Sequence, residues 1–346
     1  MNDGITLPDV LAGVMVLALH AYTLLAGADF GGGLWDLLAR GPRQRAQRDL
    51  VADAIGPIWE ANHVWLILVV VMLFTCFPAA FAAYAIALHI PLTLMLVGVV
   101  LRGSAFTFRS YDSRRDTVQR RWGLVFSIAS LVTPILLGVS LGAALSGAVG
   151  DSVTAPTAFG RFVRPWLGPF PWALGVFVLA LFAYLAAVYL TVEAGERELR
   201  EDFRRRALAA AAAVFAVGGV VLALARRDAP FLWNGLLGSP RAIPVHLSAA
   251  AAAVLAAWAL WHRRYALARY AAIFEASAIV WAWAWVQWPY FVPPDRTIDD
   301  LAAPEATLRL VAIGLGAGFV ILVPSFWVLF RIFKRRPRAV ADVPPP

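Results

Sequence analysis

The sequence predicts an all-α polytopic membrane protein: nine transmembrane helices, arranged as two four-helix bundles plus one peripheral helix. Three observations carry this. Of 346 residues, 61% are hydrophobic and 15% charged, against roughly 45–50% and about 25% in soluble domains. Mean hydropathy is +0.71. Apolar runs of about 20 residues recur along the chain, each long enough to cross a hydrocarbon core of about 30 Å as a helix. A soluble enzyme, a disordered chain and a secreted disulfide scaffold are excluded. The single cysteine, Cys76, lies in an apolar run and reads as a small buried hydrophobe. No basic segment precedes the first run, so no secretory signal peptide is expected.

The spans are expected near 7–27, 57–77, 79–102, 122–146, 169–191, 207–225, 246–262, 266–288 and 307–330. Pro57 suits a first helical turn, and Phe77-Pro78 divides spans two and three with a tight turn. The short polar run His262-Arg263-Arg264-Tyr265 separates spans seven and eight. Spans one to four (about 7–146) form the expected first bundle and spans five to eight (about 169–288) the second. Together with span nine they make a single integral membrane domain over residues 1–334. The tail 335–346, ending in three prolines, is expected to be disordered and cytoplasmic.

Orientation follows from the basic residues, which are 29 arginines and Lys334. With the N-terminus outside, 23 of the 30 fall in cytoplasmic segments or their flanks and 7 outside. The positive-inside rule therefore predicts N-out, C-in. The net charge of +8 then reports topology and contact with anionic membrane lipids rather than nucleic acid, for which no soluble basic surface is available. Trp281, Trp283, Trp285, Trp288 and Tyr290 fit an interfacial belt at the outer end of span eight.

The charged stretches 35–53 and 193–206, each following the first span of a bundle, are alike in plan and fit a parallel repeat of four helices. Gly314 and Gly318 of span nine allow close helix approach.

Ionisable residues at membrane depth are costly and point to function. They are His20, Asp29, Glu60, His63, His89, Arg102 and Glu275. Asp29, Glu60 and Arg102 fall near the inner face; the histidines and Glu275 lie deeper. Span two opens Trp59-Glu60-Ala61-Asn62-His63-Val64-Trp65. Glu60 and His63, three apart, share a helical face and can pass a proton directly or through one water. Such a carboxyl at a helix mouth suits proton entry; a structural polar cluster is the other reading. Asp29 is a turn residue or a second carboxylate beside Glu60. Glu275 is expected to be neutral or paired with a group the sequence leaves open. His20, His63 and His89 are candidate heme ligands, without a Met or second His at a diagnostic spacing.

At span two a family pattern emerges. Trp59-Glu60-Ala61-Asn62-His63-Val64-Trp65-Leu66, with Phe77-Pro78, resembles the second-helix signature of subunit II of cytochrome bd-type quinol oxidases. Gly27-Ala28-Asp29-Phe30-Gly31, the stretch from Arg102 to Phe108-Arg109, Gly138-Val139-Ser140-Leu141-Gly142 and Trp288-Pro289-Tyr290-Phe291-Val292-Pro293 resemble its other motifs in the same order. The resemblance covers essentially the whole chain. It implies a bacterial cytoplasmic membrane protein partnered by a heme-bearing subunit I, with heme b and heme d in that partner and quinol as substrate. A small single-span subunit is a further implied partner. This chain is implied to bind no heme, to stabilise subunit I and to help deliver cytoplasmic protons for reduction of dioxygen to water. Asp29, Glu60, Asn62 and His63 are the implied proton path; Trp59, Trp65, Arg102 and Arg109 are motif residues for packing or gas access. Two positions depart from the family: an acid common three residues before Asp29 is Ala26 here, and His63 replaces a frequent Glu or Gln. The competing readings are a secondary transporter with a midplane site around His20, His63, His89 and Glu275, and a purely structural assembly subunit.

Overall fold

The computed structural model describes residues 4–56, 59–111, 116–238 and 243–333. Pro57 and the 335–346 tail lie outside the described residues, as does the side chain of Arg109. The chain is helical nearly throughout, as the apolar runs require: a backbone inside lipid must satisfy its own hydrogen bonds.

The first unit comprises residues 1–302. Helix α1 (Leu7–Leu37) is capped by Thr6, whose hydroxyl accepts from the Asp9 amide while the Asp9 carboxylate accepts from the Thr6 amide. The amphipathic stretch that follows forms α2 (Gln44–Ile55), with Gln47, Val51 and Ile55 buried. Then come α3 (Trp59–Cys76), α4 (Pro78–Ala87), α5 (His89–Tyr111) and α6 (Asp116–Leu145). Short helices α7 (Ala148–Val153), α8 (Ala158–Phe162) and α9 (Arg164–Leu167) lead to α10 (Pro169–Glu193). After it run α11 (Arg197–Asp228), α12 (Pro230–Leu237), α13 (Ile243–Trp261) and α14 (Tyr265–Gln287).

Three expectations change. The run 79–102 is not one helix. Pro78 starts α4, and Leu88 leaves helical geometry (φ −115°, ψ 14°), so α4, at 10 residues, is too short to cross a membrane. The crossing helix is α5, and His89, its first residue, is exposed at a helix end rather than buried at midspan. Second, the arginine-rich segment before 207 is not a loop: it is the first turns of α11, where Arg204 pairs with Glu201 at 2.6 Å. Third, a small antiparallel pair, β1 (Tyr290–Val292) and β2 (Arg296–Thr297), interrupts the helices. The turn at 263–264 forms as read, with Arg263 at φ 58°.

Among the described residues, eight helices are long and apolar enough to cross a membrane by length and composition. They include each of the long helices except α14, whose 23 residues carry Arg269, Glu275 and many aromatics. Helices α1, α3, α5 and α6 pack as neighbours, as do α10, α11, α13 and α14; α1 and α10 lie centrally and join the two sets. The joint depends on glycine. A Cβ on Gly31 of α1 would collide with the Phe182 carbonyl of α10. One on Gly138 of α6 would lie 2.6 Å from the Gly175 Cα of α10. Trp35 donates from its indole to the Ala183 carbonyl at 2.8 Å across the same seam.

The second unit, residues 303–346, contains α15 (Glu305–Phe333), a long apolar helix whose Arg309 pairs with Glu305 at 2.6 Å.

Candidate functional site

The last turns of α1, the first turns of α3 and the middle of α5 bring charged groups into the interior. Asp29 is 3% exposed, Asn62 0% and Arg102 1%. Asn62 Nδ2 donates to Asp29 Oδ2 at 2.7 Å. The Arg102 guanidinium lies over the rings of Phe30 (4.7 Å) and Phe126 (5.2 Å), and its Nε donates to Ser130 Oγ at 3.2 Å. The charges of Asp29 and Arg102 attract one another, so neither is a lone ion in a low-dielectric interior.

His63 sits beside this group. Its ring lies within 5.8–6.3 Å of the rings of Phe30, Tyr22 and Trp59. Among the described residues neither ring nitrogen has a hydrogen-bond partner, and the same holds for Asn62 Oδ1 and Arg102 Nη2. Buried polar atoms of this kind call for a water or a partner's group. Trp59 also packs on Phe106 (5.8 Å), and Trp65 lies against the Tyr22–Ala26–Phe30–Phe182 cluster.

Of the two routes read between Glu60 and His63, the direct hydrogen bond is not made, which leaves the one through a water. Glu60 is exposed on α3, while the His63 imidazole turns inward among aromatic rings. Helical spacing placed them near one face, but a wide face has an edge and a centre. The bond that does form is Asn62 to Asp29, one helix away.

Two of the other histidines are engaged. The Ser277 hydroxyl donates to the Ile273 carbonyl at 2.7 Å, so it accepts from His20 Nε2 at 2.8 Å; His20 Nδ1 then accepts from the Trp281 indole at 3.4 Å. This fixes His20 as the neutral Nε2–H tautomer. His89 Nδ1 contacts the Ile86 carbonyl at 2.9 Å. His63 lies between aromatic rings, so the three histidines stand in separate surroundings.

Sequence reasoning missed four members of the interior. Ser130, 0% exposed, supports Arg102. Tyr22, 1% exposed, borders His63. Asp36, 3% exposed, accepts from the Ser127 hydroxyl at 3.1 Å although it sits in a run that reads as a surface. Tyr184 is the partner of Glu275. A serine or tyrosine in an apolar run is too common to signal itself; Asp36 followed the apolar run closely enough to be found.

Between α1, α3 and α14 there is also an apolar cavity of about 580 Å³ bordered by Met15, Leu73, Trp283 and Phe291.

These features define a class: a multi-pass helical membrane protein with a buried aspartate–asparagine–arginine cluster. The particular family follows from comparison. The family model for cytochrome bd terminal oxidase subunit II matches residues 7–333, and the chain belongs to that family. A Bacillus subtilis (strain 168) protein named provisionally as a cytochrome bd menaquinol oxidase subunit II is 23% identical over 328 residues, covering 92% of this chain and 93% of that protein. Cytochrome bd-I ubiquinol oxidase subunit 2 of Escherichia coli (strain K12) is 30% identical over 216 residues, 61% of this chain and 55% of the relative. A chain in the structure of bd oxidase from Geobacillus thermodenitrificans superposes with a TM-score of 0.78 over 94% of this chain and 98% of that one, at 24% identity, and shows the shared fold.

Proposed function

We propose that the chain is the subunit II of a bd-type quinol:dioxygen oxidoreductase in the bacterial cytoplasmic membrane, with nine spans, N-out and C-in, and a single integral domain ending in a cytoplasmic tail. It stabilises a heme-bearing subunit I, which carries heme b and heme d and oxidises quinol. It also helps bring cytoplasmic protons toward the site of dioxygen reduction. Lipids and a small single-span subunit complete the assembly.

The observation that carries the proton role is the bond from Asn62 to Asp29 beside the partnerless nitrogens of His63. Glu60 is exposed two residues from Asn62, at the end of α3 that the proposed orientation puts inside. A proton entering at Glu60 meets a file of buried polar atoms, each able to hold a water. Arg102 keeps the Asp29 carboxylate in the membrane and does not itself transfer protons. Trp59 and Trp65 wall the file; Arg109 belongs to the same motif.

The test is proton uptake and oxygen consumption by the purified complex carrying Asp29→Asn, Glu60→Gln or His63→Ala. Asp29→Asn is expected to slow both by about 100-fold or more, with rates taken per heme-replete complex. Unchanged rates in all three, in a fully assembled complex, would leave only the stabilising role.

A further inference from the structure

Glu275 belongs to no part of the Asp29 cluster. It lies on α14, in the other set of helices, and is 8% exposed. The Tyr184 hydroxyl of α10, on a residue 1% exposed, donates to Glu275 Oε2 at 3.1 Å. The surrounding wall is alanine: Ala268, Ala271, Ala272 and Ala276 are each 5% exposed or less.

The charges around the pair are few. From α10 come Tyr184, Tyr189 and Glu193; from α1, His20, neutral and held by Ser277. On α14 itself the nearest cation is Arg269, six residues and roughly 9 Å away along the axis. It is already engaged by Glu193 at 3.9 Å and by the Tyr189 ring at 5.2 Å. Helix α13 contributes Ala256, Ala259 and Leu260 to the buried side, and α12 has no ionisable residue. No cation among the described residues therefore neutralises Glu275. A carboxylate so placed would be a bare charge in an apolar wall, which is strongly disfavoured; the neutral acid is the stable form.

We infer that Glu275 and Tyr184 form a second membrane-embedded protonation site, separate from Asp29. The Glu275 acid releases one proton to water at the Glu193–Arg269 end and becomes a carboxylate; Tyr184 keeps its own proton and stabilises that carboxylate through the existing bond. Tyr189, between Tyr184 and Glu193 on α10, marks the way out. A structural pair would be static, whereas this one exchanges.

The experiment is infrared spectroscopy of the purified oxidase complex in H₂O and D₂O across a pH series. The expected result is a protonated-carboxyl band that is lost in Glu275→Gln, displaced in Tyr184→Phe, downshifted in D₂O and diminished as pH rises. Glu193→Gln should slow the D₂O shift. Asp29→Asn should leave the band in place, which separates this site from the proposed proton route. Should Glu275→Gln fail to assemble, Tyr184→Phe, which retains the carboxyl, carries the test. A Tyr184→Phe spectrum identical to the parent, or a band that never shifts in D₂O, would overturn the inference.

Discussion

Asn62 donates to Asp29 across the α1–α3 contact at 2.7 Å, with both side chains sealed from solvent. The bond ties the first turns of α3 to the last turns of α1. Replacing Asn62 by Ala leaves the Asp29 carboxylate short of a donor in a dry site. The expected cost is about 1–3 kcal/mol, read as a lower thermal midpoint of the purified complex. Asn62→Asp places a second acid against Asp29 and should lower it further; a midpoint unchanged in both would show that the bond carries no stability.

Arg102 tests the balance of charge. Its flat guanidinium stacks on Phe30 and Phe126, a geometry an ammonium cannot copy. Arg102→Met should leave Asp29 uncompensated and cost about 3–5 kcal/mol. The double substitution Asp29→Asn with Arg102→Met should recover much of that loss, since no net charge then remains. Yield of assembled complex and thermal midpoint measure both, and equal losses in single and double variants would contradict the pairing.

The glycine seam makes a steric prediction. Gly31→Ala drives a methyl into the Phe182 carbonyl, and backbone cannot swing away as a side chain can. Assembled protein is expected to fall to a trace. Gly13→Ala, on the same helix with no atom within 4 Å of the added carbon, should be neutral and serves as the control.

The loop after β1 carries a pH-dependent contact. The Thr297 hydroxyl and amide hold the Asp300 carboxyl below its ordinary value, and the Asp300 amide donates to Thr297 Oγ1 at 3.2 Å. Because the folded value is depressed, the contribution is complete above the ordinary carboxylate range and lost as pH falls through the lowered value. The protection of the Thr297 amide, relative to its intrinsic exchange at each pH, should therefore fall on acidification, and Asp300→Asn should remove that dependence.

The membrane character was legible because apolar length is a local property; every crossing helix leaves its run in the sequence. The break at Leu88 was harder to read, since only His89 and Pro91 just beyond it mark a stretch otherwise apolar enough for one helix. The candidate charges were visible for the same reason the spans were: Asp29, Arg102 and Glu275 stand out against apolar neighbours. Their partners were hidden, because Ser130 and Tyr184 lie 28 and 91 residues away from the groups they bond. Spacing put Glu60 with His63, but the tertiary contact with Phe30 and Tyr22 decided which way the imidazole turned.

The seam between α6 and α10 bears on motion as well as packing. A rocking-bundle carrier works by letting one half of the molecule pivot against the other about a central site. Here the Gly138 and Gly175 backbones meet with no side chain between them, and Gly31 is lodged against the Phe182 carbonyl. Backbones in such contact cannot slide without prising both helices apart. The two halves are geared to move as a single body, which leaves no pivot for a swinging door between them.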